Sequence, residues 1–337
     1  MSVLTRWPED QLCLSAAQRR QAVQALERAF ASTLESLRVD IGLVEMFEAI
    51  YVPLAAWITC RQRHQGAPLV VGLNGAQGAG KSTLFTLLEI ALSEGFGLRV
   101  AGLSIDDLYK TRAERERLGA EIHPLLRTRG VPGSHDVELG IALLQALKRG
   151  EHEAAGRIPV FDKSIDDRCP ASVWREWPAG VDVVVLEGWC VGASAQSDAQ
   201  LQTPVNALER LEDPEAVWRR YVNAQLEGPY AELFALVDVT LMLRVPSMEA
   251  VYEWRSQQEK KLAQRMQYLI DTRASREPLR IMGEAEILRF IQHYERLTRA
   301  MLEDMPARAD VVLQLNDNHK ICDIRINRPL ADCGPGH

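Results

Sequence analysis

The sequence has no surplus of positive charge, no closely paired cysteines and no long unbroken apolar run, and each absence removes a class of function. Lys and Arg number 39 against 46 Asp and Glu, for a net charge of −7. That argues against a nucleic-acid binder, which usually carries a basic surplus. The six cysteines, Cys13, Cys60, Cys169, Cys190, Cys322 and Cys333, are scattered without a C-x-x-C pair. Neither a zinc site nor a disulfide framework is suggested, so a reducing compartment is expected. The most apolar early stretch, IGLVEMFEAIYVPLAAWITC, carries Glu45, Glu48 and Pro53, whereas a membrane span needs roughly 20 predominantly apolar residues. MSVLTRWPEDQL brings acidic residues early and has no apolar core of signal-peptide length. The expectation is a cytoplasmic protein with neither nucleic acid nor membrane as partner, its oligomeric state open. What is present, 337 residues that are 47% hydrophobic and 25% charged, suits one large α/β domain or two ordinary ones.

The chain changes texture at Pro68. Before it, SAAQRRQAVQALERAFASTLESL places Ala22, Leu26, Phe30 and Leu34 at helical spacing, and a second helical run follows Asp40 as an N-cap. After it, short runs dense in Val, Leu and Ile alternate with helical stretches: LVVGL, LRVAGLS, RIPVF, VDVVVLE, VDVTLMLRV and DVVLQL. Such runs are strands buried on both faces, and the alternation predicts a parallel sheet with helices on both sides. HPLLRTRGVPGSHD, DDRCPASVWREWPAG and GASAQSDAQLQTP, rich in Gly, Pro, Ser or Asp, read as irregular. The division expected is a helical N-terminal extension over 1–65 and an α/β domain over 66–330.

VVGLNGAQGAGKSTL, from Val70 to Leu84, holds G-x-x-x-x-G-K-[ST] between a strand and a helix. Glycines let a backbone wrap a phosphate with its N–H groups pointing inward, and the following helix adds free N–H groups and the positive end of its dipole. Gly75, Ala76, Gln77, Gly78, Ala79, Gly80, Lys81, Ser82 and Thr83 are therefore the candidate nucleotide cradle. Lys81 can reach the β- and γ-phosphates and the Ser82 hydroxyl can bind Mg²⁺, so ATP and Mg²⁺ are the expected cofactors.

Further absences narrow the class. There is no Asn-Lys pair for an N-K-x-D guanine site and no L-S-G-G-Q, and VDVVVLEG ends in Glu187 followed by Gly188 rather than in adjacent acids. A small-molecule kinase fits best. LRVAGLSIDDLY ends in Ser104, Asp106, Asp107 and Tyr109. Carboxylates just past a parallel strand lie on the ligand side of such a sheet, and one can take the proton of an attacking hydroxyl. Asp106 is the candidate base. Asp107 is its neighbour or a helix cap. Glu187 could hold Mg²⁺ opposite Ser82, or face solvent at a strand end.

GLNGAQGAGKSTL, SIDDLYKTRAER, RTRGVPGSHDVELG, IPVFDKSIDDR, VVVLEGWCVG and VYEWRSQQE occur in this order. Together they resemble the D-glycerate 3-kinases, a branch of the phosphoribulokinase, uridine kinase and pantothenate kinase group, over roughly residues 66 to 328. V-P-G-S-H-D is also similar to pantothenate kinases. The resemblance implies a five-stranded parallel sheet flanked by helices, with a mobile lid over about 247–268. It implies transfer of the γ-phosphate of ATP to a hydroxyl of D-glycerate, giving 3-phosphoglycerate. By motif position it makes Asp106 the general base, Lys81 the phosphate clamp and Ser82 and Glu187 the magnesium residues. Tyr109, Arg129, His135, Asp136 and Lys163 fall on the acceptor side, and Arg255 falls in the lid motif.

Several of these roles also make chemical sense by themselves. A small anionic acceptor needs a cation for its carboxylate, which Arg129 or Lys163 could supply, with Arg127 and Arg168 in reserve. Arg129 could equally be a solvated loop charge and His135 a structural hydrogen bond. Asp136 opens DVELGIALLQALKR and suits an N-cap as well as substrate contact. In EWRSQQEKKLAQR, Lys261 and Arg265 share a helix face, Lys260 reads as solvated, and Arg255 could place charge over the transferring phosphoryl group. The alternatives are a kinase of pantothenate, a nucleoside or a sugar-like acceptor, and a regulatory P-loop ATPase.

Overall fold

The computed structural model describes residues 6–11, 15, 17–18, 20–24, 47–149, 156–271 and 282–329. Leu26, Phe30, Leu34 and Asp40 lie outside the described residues. Among the described residues ten strands occur in chain order: β1 (Leu69–Gly75), β2 (Val100–Ser104), the two-residue β3 (Arg157–Ile158), β4 (Phe161–Asp162), β5 (Asp167–Arg168) and β6 (Arg175–Glu176), then β7 (Val183–Gly188), β8 (Val239–Arg244), β9 (Val311–Leu315) and β10 (Ile321–Ile326). The main sheet runs β10-β9-β8-β1-β7-β2. β2, β7, β1, β8 and β9 are parallel and β10 is antiparallel to β9. The sheet is therefore mixed and six-stranded, where a five-stranded parallel sheet was expected.

Alternation along each central strand splits the core into two layers. Val71 and Leu73 of β1 face one cluster with Trp57, Leu87, Leu88 and Trp254. Val70 faces the other with Leu144, Tyr230, Leu297 and Met301. Helix Val52–Gln65 thus packs its buried Trp57 into the same core as the sheet. The buried Asn74 is satisfied by donating to the carbonyls of Trp189 and Val191 at 3.0 and 2.9 Å. No helix among the described residues is long and apolar enough to cross a membrane.

RIPVF does not join the main sheet. Pro159 has no N–H to give a ladder, and the run divides into β3 and β4, which pair with β6 and β5 in two small antiparallel ladders. β10 was not expected as a strand. Only Ile321 and Ile324 are buried along it, and a register shift between Ile321 and Asp323 interrupts the alternation that marks a strand. The segments read as irregular contain short helical turns, at Pro124–Arg127, Ala171–Val173 and Asp198–Gln202.

One buried ion pair locks the carboxyl-terminal helix Glu284–Arg308 to the helix Ala207–Glu212. Arg296 donates Nε and Nη2 to the two oxygens of Glu209, both at 2.7 Å, and gives further hydrogen bonds to the carbonyls of Gln200 and Thr203.

Candidate active site

The site lies where β1, β2 and β7 end. β1 delivers the chain into the phosphate loop, and Gly78 and Gly80 take φ values of +80° and +91° that glycine adopts without steric cost. Helix Lys81–Ile90 starts immediately after, with Gly80 as its cap. Ala76 and Ala79 are buried, Gln77 and Thr83 half-buried. A Cβ on Gly75 would stand 3.0 Å from Lys81 Cγ, so the lysine stem folds back along the loop. Its Nζ donates to the Ala76 carbonyl at 3.2 Å. Burial pulls the Lys81 ammonium down, Glu187 and Asp106 oppose that, and the net result stays below the ordinary lysine value.

Ser82 Oγ donates to Glu187 Oε1 at 3.4 Å, and Glu187 Oε2 is buried with no hydrogen-bond partner among the described residues. A bare carboxylate oxygen beside a serine hydroxyl suits a small hard cation that completes its shell with phosphate and water oxygens. No cluster of three or more His, Cys, Asp and Glu side chains able to hold a metal by itself exists among the described residues.

Asp106 follows β2 in a tight turn that Ser104 caps by accepting from the Asp106 N–H. Tyr109 OH donates to its Oδ1 at 2.9 Å and Lys163 Nζ to its Oδ2 at 2.7 Å. Burial pushes the carboxyl up, but Lys163, Tyr109 and His135 together hold it below the ordinary carboxylate value. Asp106 is therefore ionised at neutral pH. Asp107 is not the cap of the next helix. It accepts from the Phe161 N–H and pairs with Arg175 at 3.0 Å, while Thr111 and Glu114 form the capping box of helix Arg112–Glu121.

The acceptor side is more interlocked than the sequence suggests. Arg129 pairs with Asp166 and lies over the Phe161 ring. Asp166 in turn pairs with the buried Arg115 at 3.1 Å, which also donates to the carbonyls of Lys110, Arg127 and Asp166. Both Asp136 oxygens are engaged, one capping helix Val137–Lys148 and one pairing with Arg168 at 3.0 Å. Arg168 also donates to the Tyr109 carbonyl, and the Arg127 side chain is exposed. His135 is buried, stacked on Tyr109 at 4.5 Å and hydrogen-bonded to Tyr230 OH. Of the two leading candidate cations, Arg129 and Lys163, Lys163 is the more exposed, with 60% of its side chain accessible against 29%.

Arg255 sits on one continuous helix, Met248–Asp271. It pairs with Glu259, donates to Gln258 at 2.7 Å and lies over Phe290. Its charge and that of Arg129 act on each other. Lys260 and Lys261 are exposed, and the side chain of Arg265 lies outside the described residues. The residue before Arg255, Trp254, is buried against Gly78, where a Cβ would stand 3.1 Å from Trp254 Cβ, and it stacks on His319 at 3.8 Å. Arg115, Tyr230, Trp254 and His319 were all missed from sequence. Only the T-x-x-E capping signal before Arg115 and the W-R pair at Trp254 hinted at any of them. A cavity of about 370 Å³ lined by Gly192, Phe234, Thr240 and Met305 opens at the other end of β8 and takes no part in this site.

No family model matches the chain. An uncharacterized kinase of Schizosaccharomyces pombe is 30% identical over 256 residues, covering 73% of this chain and 86% of that protein. The chloroplastic D-glycerate 3-kinase of Arabidopsis thaliana is 30% identical over 199 residues, 57% of this chain but 41% of that protein. The solved D-glycerate 3-kinase of Cryptococcus neoformans shares the fold, with a TM-score of 0.67 at 24% identity over 82% of this chain and 99% of that one. The chain belongs to the family of P-loop kinases that includes the D-glycerate 3-kinases.

Proposed function

We propose that the chain transfers the γ-phosphoryl group of ATP to a hydroxyl of a small hydroxy acid, D-glycerate, giving 3-phosphoglycerate. The observation that carries this reading is that the charges of Glu187, Asp106 and Lys163 all act on Lys81, with Glu187 and Asp106 at the carboxyl ends of neighbouring parallel strands. In the transfer, Asp106 takes the proton of the substrate hydroxyl as that oxygen bonds to the γ-phosphorus and the bond to the β-phosphate oxygen breaks. Lys81 offsets the charge on the phosphates, and the loop N–H groups hold them. Mg²⁺ held by Ser82 and Glu187 would neutralise charge on the β- and γ-oxygens. Lys163 can leave Asp106 for the acceptor's carboxylate, which frees the base as the substrate arrives. Arg129, fixed by Asp166, would add a second cation on the acceptor side. Arg255, on the helix read as a lid, would bring positive charge over the phosphoryl group and help exclude water.

The test is ADP release with ATP and Mg²⁺ and, separately, D-glycerate, L-glycerate, pantothenate, uridine or no acceptor. Turnover is expected with D-glycerate and not in the other wells. Turnover with pantothenate or uridine instead would overturn the acceptor, and equal release in every well would show that the phosphate goes to water. Glu187→Gln is expected to raise the Mg²⁺ concentration for half-maximal turnover by about 10- to 100-fold, read from a magnesium titration at fixed ATP. An unchanged midpoint would remove Glu187 from the metal site.

A further inference from the structure

Tyr230 is fully buried, 95 residues along the chain from His135, and its hydroxyl meets two groups of the loop that carries that histidine. The Gly133 N–H donates to it at 3.0 Å, and His135 Nδ1 is its other partner. Gly133 takes φ +99°, and a Cβ there would stand 2.6 Å from Tyr221, so the loop needs glycine to turn its N–H inward. A phenolic oxygen has two acceptor sites and one hydrogen. The Gly133 N–H takes one acceptor site and offers the hydrogen nothing. His135 Nδ1 must receive the hydrogen, since a hydroxyl left without an acceptor in this apolar surrounding is costly. Burial holds the Tyr230 hydroxyl far above its ordinary value, so that hydrogen stays in place.

A neutral imidazole with a bare Nδ1 carries its own hydrogen on Nε2. His135 Nε2 is buried and has no partner among the described residues. The ring cannot swing away, because it is stacked on Tyr109 and set edge-on to Tyr230 at 5.8 Å. Nor does it ionise near neutrality, since burial pulls it down to about 3 against the opposing charge of Asp106. A buried donor without an acceptor, beside the catalytic carboxylate, marks a place where a ligand oxygen is missing.

We propose that Tyr230 locks His135 as the Nε2–H tautomer and so makes it a fixed neutral donor to an oxygen of the acceptor substrate. Tyr230 is then a positioning residue that acts through His135. Because the donor carries no charge and cannot accept, the site favours a hydroxyl or carboxylate oxygen and rejects an acceptor that presents an N–H or a methylene there. The donor's role in binding rests on the acceptor kinase reading above, whereas the tautomer does not.

The tautomer is read from the full-length protein labelled with ¹⁵N-histidine, the His135 ring being assigned by the signals lost in His135→Gln. Expected are a bare Nδ1 and a protonated Nε2, unchanged between about pH 6 and about pH 8, the range in which an ordinary histidine titrates. A protonated Nδ1, or titration within that range, overturns the proposal. Tyr230→Phe is expected to mix the tautomers and raise KM for D-glycerate about tenfold, the worth of one hydrogen bond, with KM for ATP unmoved. An unchanged tautomer and unchanged KM would overturn it. Should that variant fail to fold, His135→Gln, which keeps an N–H donor, is expected to show a KM about tenfold below that of His135→Leu, and equal values would overturn the donor assignment. Absence of turnover with any acceptor in the unmodified protein overturns the kinase reading and the binding role together, and the ¹⁵N signals still decide the tautomer.

Discussion

Asp106→Asn is expected to lower kcat with D-glycerate by about 10²- to 10⁴-fold, the usual contribution of a positioned general base, with ATP affinity little changed. Asparagine keeps the shape and still accepts from Tyr109 OH, but it cannot take a proton. The phosphate loop, Ser82 and Glu187 do not depend on Asp106 for their conformation, so the loss belongs to the chemical step. Single-turnover transfer from labelled ATP, alongside calorimetric ATP binding, separates the two. A loss smaller than tenfold would show that another group takes the proton. The pH dependence follows from the same environment. A carboxyl held below its ordinary value is deprotonated, and competent as a base, throughout the neutral range. In the free enzyme, where Lys163 still pairs with Asp106, base-limited kcat/KM therefore falls only as the pH drops into or below the usual carboxylate range, not near neutrality.

Arg296→Leu is expected to destabilise the fold by about 3–5 kcal/mol. The surface pair Arg112–Glu116 is the useful contrast. Both of its side chains are about 60% accessible, and such pairs contribute only about 0–1 kcal/mol. Glu209 has no accessible side chain and Arg296 only 9%, so removing the guanidinium leaves a charge that water cannot reach. The carbonyls of Gln200 and Thr203 lose their donor in the same step. Urea denaturation followed by circular dichroism measures the loss. Adding Glu209→Leu is expected to recover part of it, because the double variant buries no unpaired charge. A single variant within about 1 kcal/mol of the parent, no more than an exposed pair contributes, would mean that Glu209 finds another partner or solvent.

The parts of the site that were legible in the sequence are those whose chemistry needs contiguous residues or a fixed place on a strand. The phosphate loop is one segment. Asp106 and Glu187 stand at strand ends, and the register Ser104↔Glu187 between β2 and β7 brings those ends together. The acceptor side was harder to read because its geometry comes from distant partners. Nothing near Arg129 in the sequence shows that Asp166 holds it, or that Arg115 holds Asp166. Tyr230 lies in an ordinary helix, and only tertiary packing brings its hydroxyl to His135. RIPVF was misjudged for a local reason, since its apolar residues outweighed the missing N–H of Pro159. The edge strand β10 was overlooked because one buried face and a register shift leave too few apolar residues to mark a strand.

That edge strand has a consequence for how molecules of this protein meet. A parallel sheet ending at β9 would present VVLQL, nearly all of it buried in the fold, as a row of unpaired N–H and C=O groups on an apolar strand. Such an edge is a template for strand addition by another chain. β10 covers it antiparallel and turns Asp323 and Arg325, both exposed, toward solvent. Charged side chains of both signs and a locally irregular register make poor partners for a further strand, so this side of the sheet guards the molecule against sheet-to-sheet aggregation.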